Sequence, residues 1–150
     1  MLHDPQHAVI ALFQPADEPA PEQDAASGHF SWHELMAADY EAAFSFYSEL
    51  FGWEIMDDMD MGELGIYRLF GRNGKQMGGM FNKPPEVPVA SWLYYVNVPD
   101  VDESAAAITA AGGKIVNGPT EVPDGGRIVQ AMDPQGGMFA LHTPAAVKEE

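Results

Sequence analysis

Cysteine is absent from the 150 residues. Disulfides, thiolate metal ligands and a cysteine nucleophile are thereby excluded. Positive charge is scarce: seven Lys and Arg stand against 23 Asp and Glu, a formal net charge of −16. A field of that sign repels nucleic acid and anionic membrane, attracts cations and keeps a protein in solution. No apolar run approaches the roughly 20 residues that cross a bilayer. The first fifteen residues lack the basic start and apolar core of a secretion signal. The expectation is a cytoplasmic protein without nucleic-acid or membrane partners. What remains, 46% hydrophobic and 11% aromatic residues, suits one globular domain with a real core.

Residues 8–13 form an apolar run between Asp4-Pro5 and Pro15 and read as a short strand. The acidic stretch 16–28, rich in Pro and Ala, reads as a linker. A strand is expected over 30–36, then a helix over 40–51 capped by Asp39 and stopped by Gly52. Ala43, Phe46, Tyr47, Leu50 and Phe51 make one apolar stripe on it, so the helix should lie on a sheet. Strands follow near 53–56, 65–70 and 76–81. The pattern then restarts: a strand over 91–98, and a helix from Asp100 to about Ala111, stopped by Gly112-Gly113. Strands follow near 114–116, 127–132 and 137–142.

The order is βαβββ, twice, and the sequence echoes it. Ser31-Trp32 and Ser91-Trp92 open the halves, and Gly-Gly-Met-Phe at 78–81 and at 136–139 closes them. Residues 4–15 also match residues 133–144, both starting Asp-Pro-Gln, at six of twelve positions without gaps. Residues 1–15 thus look like the end of a preceding module, followed by the linker, the domain at 29–145 and a tail at 146–150. The expected fold class is α+β: paired βαβββ units forming a curved mixed sheet cup with helices outside, plus an extra N-terminal strand. That strand needs a partner, either a sheet edge or a second chain, and an exchanged-arm homodimer is one arrangement.

Phe46-Tyr47 followed by Leu50-Phe51-Gly52-Trp53, the strand leading to Asp39, and Asp133-Pro134-Gln135-Gly136 resemble the vicinal oxygen chelate superfamily of glyoxalases, bleomycin-resistance proteins and extradiol dioxygenases. The second module of tandem glyoxalase-like bacterial proteins is the nearest likeness. The resemblance implies a ligand or a divalent metal inside the cup. It places the metal-ligand positions at Trp32, Leu93, Ala140 and, by matching Gly-Gly-Met-Phe, Asn82. Only Asn82 offers an oxygen there. Strand alternation gives Glu34 the face of Trp32 and His142 the face of Ala140, so those two are the remaining weak candidates for a metal. His33 falls on the opposite face and reads as a hydrogen-bonded structural residue. His3, His7 and His29 lie in or beside the tail.

Trp32, Glu34, Met36, Tyr95, Asn97 and His142, with Tyr67 or Arg68, are the candidates for lining a small-molecule pocket. Two readings stay open. One is a binding protein that sequesters a cationic or aromatic compound. The other is a glyoxalase-like lyase or dioxygenase-type enzyme, with or without a divalent metal. There Glu34 would be the general base, and Asn97 and Arg68 would hold an anion.

Overall fold

The computed structural model describes residues 1–16 and 26–145. Most of the expected linker and the tail at 146–150 lie outside the described residues. The chain has ten strands and two helices in the described residues: β1 Leu2–His3, β2 Val9–Ile10, β3 Phe30–Ala37, α1 Tyr40–Phe51, β4 Glu54–Asp60, β5 Ile66–Arg72, β6 Lys75–Asn82, β7 Ser91–Asn97, α2 Val101–Ala110, β8 Lys114–Glu121, β9 Arg127–Met132 and β10 Met138–Thr143. This is the expected α+β fold with its two βαβββ units. They segregate into two compact bodies.

In the first unit the strand order is β4-β5-β6-β3, with β3 and β6 parallel and the other pairs antiparallel. Helix α1 begins where Asp39 accepts from the backbone N–H of Glu41 and Ala42, and ends at Gly52 in the left-handed conformation (φ 66°). Its buried Ala43 and Tyr47 pack with Leu35, Ala37, Phe70 and Met80. Trp53 stacks on Phe70 at 4.3 Å between ring centroids and lies 5.4 Å from Tyr47. These side chains define the helix face of the sheet.

In the second unit the order is β7-β10-β9-β8, again with one parallel pair, β7 and β10. Asp100 caps α2 by accepting from Asp102 and Glu103 N–H. Val101 and Ala105 of α2 pack on Val129 and Leu141. Arg127 pairs with Asp102 across the same face.

Two expectations about the repeats need correction. The strand expected over 8–13 is only Val9–Ile10, and it pairs antiparallel with Leu2–His3 of the same chain, not with a sheet edge. The reason is the turn between them. Asp4 Oδ1 accepts from Gln6 and Ala8 N–H at 2.8 Å, closing a tight hairpin. Asp133 closes the β9–β10 hairpin in the same way, with Gln135 and Gly137 N–H at 2.8 Å. The twelve-residue echo is therefore a shared turn more than a shared strand. His7, at φ 73°, stands where the other copy has Gly136.

The second correction concerns Gly-Gly-Met-Phe. Glu34 lies opposite Gly79 in the β3–β6 register, and Tyr95 lies opposite Ala140 in the β7–β10 register. Glu34 and Tyr95 each stand five residues before the aspartate capping the next helix. The structural counterpart of Ala140 is thus Gly79, not Asn82, and the motif match is displaced by three residues. An odd displacement exchanges the two faces of a strand. Asn82 accordingly points to the helix side, where its Oδ1 accepts from Tyr40 N–H at 2.9 Å.

Candidate functional site

On β3, His33, Leu35 and Ala37 take the helix face, and the His33 ring bonds the Met77 carbonyl at 3.0 Å. Trp32, Glu34 and Met36 take the far face, as alternation requires. Glu34 is buried, with 7% of its surface exposed. The Tyr67 hydroxyl donates to Glu34 Oε2 at 2.8 Å, and Trp32 Nε1–H donates to the Tyr67 hydroxyl at 3.0 Å. An indole, a phenol and a carboxylate thus form one hydrogen-bonded chain on the far face. Phe81 stacks beside Tyr67 at 5.6 Å.

Arg68, the neighbour of Tyr67, lies on the helix face, because adjacent strand residues point oppositely. It makes a paired hydrogen bond to Asp58 at 2.7 and 2.8 Å and sits over the Tyr40 and Phe44 rings at 5.1 and 5.3 Å. Its hydrogen bond holds the Asp58 carboxyl below the usual carboxylate range. The structure therefore places Arg68 on the face opposite Trp32 and Glu34, paired with Asp58.

The second unit holds the other three residues, Tyr95, Asn97 and His142, in two hydrogen-bonded pairs, one of them with Gln130. Gln130 Nε2 donates to the Tyr95 hydroxyl at 2.7 Å, and His142 Nδ1 is 3.1 Å from Asn97 Oδ1. With the amide oxygen as acceptor, Nδ1 carries the proton. Burial pushes the His142 imidazole below its ordinary value, and Asp124 opposes that shift. Gly126 packs so closely that a side chain there would stand 2.6 Å from His142 Nε2.

The residues at the family's metal positions do not fit a divalent ion. Trp32, Leu93, Ala140 and the corrected position Gly79 have no usable donor between them. Among the described residues no three His, Cys, Asp or Glu side chains cluster to hold a metal. Glu34 and His142, which do have donor atoms, are each engaged within their own unit, Glu34 by the Tyr67 hydroxyl and His142 by Asn97. Gly79 and Phe81 stood out only as part of the repeated Gly-Gly-Met-Phe, and neither they nor Gln130 were singled out as site residues from the sequence. A glycine and a surface-type glutamine announce nothing until the register is known.

The glyoxalase/bleomycin resistance protein/dioxygenase superfamily model matches residues 27–141. The chain belongs to this superfamily. Among its superfamily relatives, a protein of Mycobacterium tuberculosis and of Mycobacterium bovis named "Putative glyoxylase CFP32" is 31% identical over 145 residues, covering 96% of this chain and 55% of that protein. The anthracycline biosynthesis protein DnrV of Streptomyces peucetius is 28% identical over 130 residues, covering 77% and 47%. The chain spans about half the length of these curated relatives. A solved superfamily fold, a variant of Streptomyces coelicolor methylmalonyl-CoA epimerase in complex with 2-nitronate-propionyl-CoA, superposes with a TM-score of 0.62 at 19% identity. It covers 83% of this chain and all of that one. That likeness is one of fold. Among the described residues no helix is long and apolar enough to cross a membrane.

Proposed function

We propose that this superfamily domain binds a small cationic or aromatic organic compound on the Trp32–Glu34–Tyr67 face, without a resident metal. The observation that carries the reading is the sheltered Glu34 carboxylate, held by a phenol that is itself held by an indole. Such a group offers fixed negative charge beside aromatic surface, which is what an organic cation needs. The net charge of −16 adds long-range attraction. A relative named for anthracycline biosynthesis agrees in kind with an aromatic ligand.

The test uses benzyltrimethylammonium as probe, followed by tryptophan fluorescence or calorimetry. Binding should saturate, and Glu34→Gln should weaken it about ten-fold, equivalent to ~1.4 kcal/mol. Protein purified without chelator should carry no stoichiometric Ni, Zn, Fe or Mn. Absence of saturable binding, or a full equivalent of one of those metals, refutes the proposal.

The second reading is an enzyme of the glyoxalase-like kind with Glu34 as general base, and the same burial of Glu34 favours it. A substrate turned over by the wild type and lost by orders of magnitude in Glu34→Gln would decide for it. A cytoplasmic homodimer belongs to the proposal as well. Leu12 and Phe13, the latter 87% exposed, are apolar side chains that a second copy would cover. Sedimentation of the Leu12→Ser/Phe13→Ser variant should show monomer where the wild type shows dimer.

A further inference from the structure

Tyr67 stands on β5 and Glu34 on β3, with β6 between them. Two strand spacings amount to about 10 Å, so the phenol reaches the carboxylate only by lying flat across β6. The crossing point is Gly79. A Cβ built on Gly79 would overlap the Tyr67 ring and its hydroxyl. The second unit repeats the device. Gln130 on β9 reaches Tyr95 on β7 across β10, and the residue crossed is Ala140, opposite both in register.

We propose that Gly79 is the positioning residue of the Trp32–Tyr67–Glu34 site. Carrying no side chain, it lets a phenol span β6 and hold the carboxylate that recognises an organic cation. This rests on the binding reading above for its ligand and on the sheet geometry alone for the role of Gly79. The site works by a hydrogen-bonded side-chain bridge over a small residue, and a larger residue at 79 is incompatible with that bridge. Gly79 touches no ligand in this scheme; it acts through Tyr67.

The indole N–H resonances of the three tryptophans test the positioning without any ligand. Trp32 is identified by the signal lost in Trp32→Phe. Its resonance should move in Tyr67→Phe and move again in Gly79→Ala. Trp92, whose Nε1–H donates to the Tyr47 hydroxyl at 3.2 Å, should stay in place in both. An unmoved Trp32 signal in Gly79→Ala, or Trp92 moving with it, overturns the proposal. Should Gly79→Ala fail to fold, the double variant with Tyr67→Ala removes the overlapping ring. Recovery of folding then supports the proposal, and failure to recover overturns it. Both single variants should also weaken benzyltrimethylammonium binding about ten-fold. A displaced Trp32 signal with unchanged affinity overturns the site role of Gly79. If the wild type binds no probe, the binding reading fails, and the indole resonances still judge the positioning.

Discussion

Tyr47→Phe removes one oxygen from the centre of the first unit, and its effect can be worked from the contacts. Tyr47 is fully buried and Asp4 nearly so. The Tyr47 hydroxyl donates to Asp4 Oδ2 at 2.9 Å and accepts from Trp92 Nε1–H at 3.2 Å. Phenylalanine keeps the ring stacking on Trp53 and Phe51, so packing terms change little. The bond to the charged carboxylate is worth about 1.5–3 kcal/mol, and the neutral bond from the indole about 1 kcal/mol. Asp4 keeps its backbone donors Gln6 and Ala8, which limits the loss. A destabilisation of about 3 kcal/mol follows, or ~6–12 °C in Tm for a chain of this size. Urea denaturation followed by circular dichroism measures it. A cycle with Asp4→Ala should give a coupling of about 2 kcal/mol, because both partners share one buried bond. Additive single losses, or a Tyr47→Phe cost below about 0.5 kcal/mol, would refute the claim that this hydroxyl ties the N-terminal hairpin to the core.

Three further outcomes are expected. Because the folded-state value of His142 lies below that of the unfolded chain, the unfolded state binds more protons between the two. Stability is then full above about pH 6.5 and falls as pH drops toward the folded value; urea midpoints from pH 5 to 7.5 should show this, and His142→Asn should flatten the slope. Arg68→Met keeps the packing over Tyr40 and Phe44 but loses the Asp58 pair. It should cost no more than about 1 kcal/mol and leave probe affinity unchanged; a ten-fold affinity loss would return Arg68 to the site. Gln6 Oε1 accepts from Ala38 and Asp39 N–H, and its Nε2 donates to the Asp39 carbonyl, all within 2.7–2.9 Å. Gln6→Ala should cost about 1–2 kcal/mol and speed proteolytic cleavage within residues 1–16, read by mass spectrometry.

Local rules carried much of the fold. Helix α1 occupies Tyr40–Phe51 as its caps required, β9 occupies Arg127–Met132, and alternation alone put Trp32 and Glu34 on one face and His33 on the other. Each rests on neighbours within a few residues, where backbone hydrogen bonding and side-chain period act directly. β4 ran longer than expected, to Asp60, because a bulge after Ile55 lets the strand continue past the break in its pattern.

The candidate site was legible only in part, because its parts meet through register. Nothing local distinguishes Tyr67 from Arg68; the pairing of Arg68 with buried Met80 does so by assigning faces. The repeated Gly-Gly-Met-Phe suggested Asn82 as a partner of Ala140, and a three-residue difference in pairing gave that place to Gly79 instead. Composition, caps and alternation are properties of the chain alone, and the sequence determined them. Which side chains cross a strand to meet depends on which strands pair, and in what register. That choice is made by the packing of whole sheets on their helices, so only the tertiary structure decided it.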